Sequence, residues 1–126
     1  MRLPRALAAA LLLTCTAHAA DDVPDCSPEN LGNLAQQDAN YCAAQAYETA
    51  DQALNDAYKK LGADRGPAYK AKLKKVELAW IAYRDAECAL ELDSFGGGSM
   101  APMVYSGCLS RLTKQRTELL VEAMDP

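Results

Sequence analysis

Four of the five cysteines in this 126-residue chain follow an apolar N-terminal segment, at positions 26, 42, 88 and 108. An even number of cysteines in a short exported chain is typical of a small fold closed by disulfides. Four cysteines can pair in three ways, so the pattern predicts two disulfides without naming the partners. If all four are paired, no thiolate remains for catalysis.

The N-terminal segment has the three-part layout of a secretory signal. Arg2 and Arg5 form a positive start, an apolar run follows, and Ala17-His18-Ala19 is a cleavage site of A-x-A type. We predict a signal peptide over residues 1–19 and a single mature domain over residues 20–126, exported to the periplasm or secreted.

The apolar run is too short to remain in a bilayer as a spanning helix, which takes about 20 residues. No later stretch is apolar enough to span one, so we expect no stable membrane insertion. A lipid anchor at Cys15 is the disfavoured alternative, because Thr14 fits poorly before a lipidated cysteine and Cys15 lies inside the apolar run.

Cleavage changes two counts that bear on function. Two of the 13 basic residues lie in the leader, so the net charge of −4 becomes −6 after its removal. An acidic chain lacks the basic footprint that nucleic acid requires, and its charge fits either a cationic protein partner or plain solubility. The only histidine, His18, lies in the predicted signal peptide, so the mature chain has no histidine. Histidine is the commonest general base at neutral pH and the commonest nitrogen ligand of zinc. We therefore expect no enzyme, no cofactor and no metal site.

Apolar spacings of three and four residues predict an all-α fold, a small antiparallel bundle of about three main helices stapled by two disulfides. The predicted helices cover residues 33–61, 67–93 and 103–122, with a short extra turn near Leu31. Asn33 and Gln36 resemble a capping box at the first start, and Gly62 is the predicted C-cap.

Helix geometry favours one pairing of the cysteines. Cys88 lies about five residues before the second helix ends and Cys108 about five after the third begins, so each is roughly 8 Å from the Gly-rich turn. We predict a Cys88–Cys108 bond and a Cys26–Cys42 bond that ties the irregular segment 20–29, at the start of the mature domain, to the first helix. The other pairings would need Cys26 or Cys42 beside the Gly-rich end, which we consider less favourable.

The stretch WIAYRDAEC, residues 80–88, combines aromatic rings, a charge pair and a cysteine. Trp80 and Tyr83 continue an apolar stripe that begins at Tyr69, so we predict that both pack in the core. We therefore interpret this stretch as part of the hydrophobic core, with Cys88 in a disulfide, rather than as an active site.

Arg84 lies on the edge of this stripe. We favour a structural ion pair with Asp51 of the first helix, or with Glu87, over a carboxylate–guanidinium site in a cleft. Arg84 and Asp85 are adjacent and point about 100° apart on a helix, so we do not expect them to pair with each other. Four lysines between residues 70 and 75 are interpreted as a solvated surface.

The connector after the second helix holds a candidate partner loop, with the residues Phe95, Gly96, Gly97, Gly98 and Ser99. Three glycines permit positive φ angles and close backbone approach. The favoured interpretation is a turn between stapled helices with Phe95 covering the core. The alternative is a contact loop for a protein partner, held out by the Cys88–Cys108 bond.

Several segments resemble one known family in their order along the chain. Besides the four cysteines, they are ADQALNDAY (50–58), LKKVELAWIAYRDAEC (73–88), GGSMAPMVYSGC (97–108) and LTKQRTELL (112–120). Together they resemble the LprI-type lysozyme-inhibitor domain of bacterial exported proteins, over nearly the whole mature chain. One departure is Glu77, which stands where the family pattern suggests glutamine, at a position that we take to be on the surface.

The resemblance implies a helical protein of the cell envelope, with lysozyme inhibition attributed to some members. It supplies no inhibitory residues that could be carried onto this chain. We expect an exported binding protein that docks on a cell-wall hydrolase such as lysozyme. The alternative is a periplasmic structural or interaction module with another partner. Lysozymes of the C type are strongly cationic, so an acidic chain would attract them.

Overall fold

The computed structural model describes residues 23–125. It contains a short 3-10 turn, Leu31–Asn33, and three helices, α1 (Gln36–Ala63), α2 (Pro67–Phe95) and α3 (Ala101–Glu122). The predicted all-α class is confirmed, and these residues form no strand. The predicted signal peptide, with Cys15 and His18, lies outside the described residues. Within residues 23–125, no helix has both the length and the apolarity needed to cross a membrane.

The ends of α1 differ from the sequence prediction. Ala35 is the N-cap and makes no capping hydrogen bond through its side chain, so the predicted capping box is absent. Asn33 instead ends the preceding 3-10 turn. The helix also continues past Gly62, which keeps a negative φ angle, and the turn is made by the residues that follow Ala63. Pro67 begins α2 as predicted, where its missing N–H costs no hydrogen bond.

The three helices lie side by side, with α1 and α3 parallel and α2 antiparallel to both. Gln36, at the start of α1, contacts Met103 at the start of α3, and the Ser110 hydroxyl donates to the Ala46 carbonyl halfway along. The α1–α3 interface is the most extensive, whereas α1 and α2 contact each other little although three residues connect them. A short connector therefore does not make α1 and α2 the closest neighbours.

The core consists of two buried clusters that Trp80 bridges. One contains Leu54, Ala57, Leu61 and Leu120. The other surrounds the buried Cys88–Cys108 bond and includes Leu109 and Leu112. Partly buried Trp80 packs against both clusters, so a single side chain of α2 links the two halves of the bundle.

The core stripe of α2 includes Leu73 and Trp80 as predicted, but Glu77 and Arg84 replace Val76 and Tyr83 in it. The inward positions follow spacings of four, three, four and four: Leu73, Glu77, Trp80, Arg84 and Cys88. Tyr83 was expected in the core but is 54% exposed, and Glu77 was expected at the surface but is only 7% exposed. The prediction fails because it located the stripe by apolarity, whereas two inward positions carry paired charges.

Both predicted disulfides are present, which confirms the pairing. The Cα atoms are 5.4 Å apart in Cys26–Cys42 and 5.6 Å apart in Cys88–Cys108, within the range of ordinary disulfides. The expectation that Cys42 lies away from the Gly-rich end is nevertheless wrong. The start of α1 lies at the Gly-rich end, where the Asn40 amide donates to the Ser99 carbonyl, so Cys42 also lies close to that end.

Candidate functional site

Arg84 is the centre of a charged cluster between α2 and α1. Its Nε donates to Asp85 Oδ1 at 2.9 Å, its Nη2 lies 2.8 Å from the same oxygen, and its Nη1 lies 3.8 Å from Asp51 Oδ1. The expectation that Arg84 and Asp85 do not pair is therefore wrong, because the long arginine side chain reaches back to its neighbour. Of the two expected partners, the structure brings Asp51 near Arg84, and Glu87 forms no ion pair with it.

Two aromatic rings also contact the Arg84 guanidinium. Its Cζ lies 5.5 Å from the centre of the Tyr47 ring on α1 and 5.3 Å from that of Trp80. Burial raises the pKa of Tyr47 above its ordinary value of 10.0, and the positive charge of Arg84 opposes the rise. Arg84 thus holds α2 to α1 through charge and stacking.

A second ion pair connects α2 to α3. Arg116 donates to Glu77 Oε2 through Nε at 3.0 Å and Nη2 at 2.8 Å, with both side chains largely buried. Sequence reasoning missed this pair. The available signal was the spacing of Glu77, four residues after Leu73 and three before Trp80, which places it on the inward face.

A groove of about 390 Å³ separates α1 from α2 beside these ion pairs. Its walls include Leu54, Tyr58 and Ile81, together with Asp51 and Asn55. The Asn55 amide donates to Asp51 Oδ2 at 3.1 Å, so these polar side chains bind each other. In the described part of the chain, no group of three or more acidic, cysteine or histidine residues is placed to hold a metal ion.

The other candidate site is the end of the bundle around the Gly-rich loop, here called the glycine end and defined as residues 23–42 and 91–105. Gly96 ends α2 in the left-handed conformation, with φ +84°, and its N–H donates to the Leu92 carbonyl. Gly97 and Gly98 also have positive φ angles, of +85° and +90°. Residues other than glycine rarely adopt this conformation, which explains the three consecutive glycines.

The loop presents apolar side chains to solvent. Phe95 is 44% exposed, and it belongs to neither core cluster, so the expectation that it covers the core is wrong. Met100 and Tyr41 are 40% and 39% exposed at the same end of the bundle. Exposed aromatic and methionine side chains on a fixed backbone are typical of protein-binding surfaces.

Two disulfides and a side-chain hydrogen bond hold this end of the molecule. Cys26–Cys42 fixes the N-terminal segment to α1, and Cys88–Cys108 joins α2 to α3 close to the loop. The Asn40 amide donates to the Ser99 carbonyl at 3.0 Å and ties the loop itself to α1. The glycine end is therefore braced by all three helices.

Charge is distributed unevenly along the bundle. The charged residues of the glycine end are all acidic: Asp25, Glu29, Asp38, Glu91 and Asp93. Glu91 is paired with Arg111, which lies just outside this end. The opposite end, residues 59–75, carries seven of the chain's 13 basic residues. The glycine end thus combines exposed apolar side chains with an acidic surface.

Comparison with known proteins places the chain in a family. A family model described as lysozyme inhibitor LprI matches residues 26–120. A curated relative from Rhizobium meliloti (strain 1021), named Uncharacterized protein R02472, is 43% identical over 132 residues, covering 94% of this chain and 93% of the relative. No solved structure matches. The extent of the family match, which includes all four paired cysteines, shows that the chain belongs to the LprI lysozyme inhibitor family.

Proposed function

We propose that this protein is exported and inhibits a lysozyme-like cell-wall hydrolase by docking its glycine end on the enzyme. Membership of the LprI family supports the class of target. The observation that carries the choice of surface is the braced glycine end, where Phe95 and Met100 are exposed among acidic residues. The two disulfides agree with a location in the periplasm or outside the cell.

The physical basis of the proposal is preorganisation. Binding costs less conformational entropy when the contact loop is already held in place, as the disulfides and the Asn40–Ser99 hydrogen bond hold this one. Phe95 would supply the apolar anchor, since aromatic residues dominate the energy of many interfaces. The acidic side chains around it would steer a cationic enzyme toward this end.

The test is a lysozyme assay that follows the clearing of a bacterial cell-wall suspension. Protein secreted by cells that express the full sequence is titrated against several lysozyme types. We expect slower clearing at micromolar inhibitor, a concentration at which an interface of about 8 kcal/mol is half occupied. Absence of any slowing at about 50 µM with every lysozyme type would reject the proposal, because such an affinity is too weak for a specific inhibitor.

Matched variants test the surface. Phe95→Ala should weaken inhibition at least about tenfold, the effect of losing about 1.4 kcal/mol at an interface. Leu119→Ala is the control, because Leu119 is 55% exposed on α3, outside the glycine end. If both variants inhibit as well as the parent, an inhibitor exists but the glycine end is not its contact surface.

A further inference from the structure

One face of α2 carries a regular stripe of exposed apolar residues. Val76, Tyr83 and Leu90 recur every seven residues and are 52%, 54% and 63% exposed. Ala79 and Ala86 lie between them and are also exposed. A repeat of seven with apolar residues at alternating spacings of three and four keeps these side chains on one side of a helix, as in a coiled-coil seam. We call these five residues the α2 stripe.

The α2 stripe spans about 21 Å, at 1.5 Å per residue. Its residues lie away from the inward positions of α2, which contact α1 and α3 through Glu77, Arg84 and Cys88. Within the described residues 23–125, the bundle therefore uses one face of α2 for its core and leaves a second apolar face exposed. A contiguous apolar face of this kind is typical of an interaction surface.

The charges of α2 are separated along its length. The N-terminal part carries four lysines, Lys70, Lys72, Lys74 and Lys75. The part after the buried Arg84 carries only acidic charges, Asp85, Glu87, Glu91 and Asp93. Asp85 and Glu91 are paired within the molecule, with Arg84 and Arg111. Among the remaining charges, Lys72 and Lys75 lie at one end of the α2 stripe and Asp93 lies at the other.

We propose that the α2 stripe binds the same stripe of a second copy of this chain, with the two helices antiparallel. In this arrangement a two-fold axis passes beside Tyr83, and Val76 of each copy lies opposite Leu90 of the other. Lys72 and Lys75 of one copy then lie beside Asp93 of the other, so opposite charges meet at both ends. A parallel arrangement would place lysines against lysines and carboxylates against carboxylates. Charge complementarity thus favours a second copy of the chain as the binding partner of the α2 stripe, and it favours the antiparallel orientation.

The dimer leaves the glycine ends free. Because the helices run in opposite directions, the two glycine ends lie at opposite tips of the dimer, and of their residues only Asp93 takes part in the contact. Dimer formation therefore does not depend on the proposed inhibitory function. If both hold, one dimer presents two docking ends.

Sedimentation velocity of the secreted protein tests the dimer, over concentrations from about 1 µM to about 500 µM, which cover weak and moderate interfaces. We expect a dimer that forms with increasing concentration. Tyr83→Glu should abolish it, because two carboxylates would meet at the axis, whereas Leu119→Glu on α3 should still dimerise. A monomer at every concentration, or a dimer unaffected by Tyr83→Glu, overturns the proposal.

Cysteine cross-linking tests the orientation. Tyr83→Cys should form a disulfide-linked dimer on its own, because the two copies meet at that position. Val76→Cys should not cross-link alone, but it should cross-link when mixed with Leu90→Cys. Peptide mapping must show that Cys26–Cys42 and Cys88–Cys108 remain intact. Self-cross-linking of Val76→Cys, without the mixed product, would indicate a parallel arrangement and overturn the proposal.

Charge reversal completes the test. Lys72→Glu combined with Lys75→Glu should raise the dissociation constant of the dimer at least about tenfold, a change that corresponds to about 1.4 kcal/mol. Adding Asp93→Lys should restore dimerisation, since opposite charges then meet again. A triple variant as weak as the double variant would contradict the antiparallel pairing.

Discussion

The most informative residues of this chain are the charged ones that face inward. Glu77 and Arg84 occupy core positions of α2 because each has partners on the adjacent helices or on its own helix. Their positions could have been predicted, since spacings of three and four connect them to Leu73, Trp80 and Cys88. Apolarity alone selected Val76 and Tyr83 instead, and both are exposed. A sequence pattern therefore locates the inward face of a helix reliably only when charged residues are also considered as possible buried positions.

Removal of one partner of the Glu77–Arg116 pair should be strongly destabilising. Glu77→Ala would leave the largely buried Arg116 guanidinium without its carboxylate, at a cost of about 3–5 kcal/mol. Glu77→Leu combined with Arg116→Leu should cost much less than either single change, because no unpaired charge remains. Urea unfolding followed by circular dichroism measures both. An exposed ion pair contributes at most about 1 kcal/mol to stability. If Glu77→Ala lowers the free energy of unfolding by less than that, the pair is solvated.

At the scale of the elements, the sequence predicts three helices but not which two lie closest. Consecutive helices with a short connector are the expected neighbours, yet α1 packs mainly on α3. Small buried residues explain this choice, since Ala50 and Ala57 on α1 and Ser110 and Thr113 on α3 allow a close approach of the two backbones. Such small residues are ordinary in any helix, so their pattern could not have identified the interface before the structure was known.

This close approach predicts a specific intolerance to larger side chains. Ala50 is only 3% exposed, and Ala50→Leu should force α1 and α3 apart and lower the free energy of unfolding by about 1–3 kcal/mol. Ala53→Leu is the matched control, because Ala53 is exposed on the same helix and should change stability by less than about 0.5 kcal/mol. Thermal unfolding of the two variants compares them directly. Equal stabilities would mean that the α1–α3 interface has room for a larger side chain.

At the scale of the whole molecule, both disulfides brace the glycine end, and the sequence predicted their pairing for a reason that was partly wrong. Cys88 and Cys108 lie at similar distances from the Gly-rich turn of an antiparallel hairpin, and this correctly predicted their bond. The predicted antiparallel order of three helices also places the start of α1 at that end, so distance from the turn alone did not exclude a bond from Cys42 to either of these cysteines. The loop residues were likewise predictable as a turn, whereas the exposure of Phe95 required the structure.

The two bonds should nevertheless differ in what they stabilise. Cys88–Cys108 is fully buried and lies within a core cluster, so Cys88→Ala with Cys108→Ala should lower the stability of the whole bundle by about 3 kcal/mol or more. Cys26–Cys42 anchors residues 23–35, none of which belongs to the core. Its removal by Cys26→Ala with Cys42→Ala should therefore release residues 23–35 while most of α1, α2 and α3 stay protected. Hydrogen exchange measured by mass spectrometry, with urea unfolding of both variants, distinguishes the two effects. Uniform loss of protection in the Cys26/Cys42 variant would show that the N-terminal segment supports the entire bundle rather than the glycine end alone.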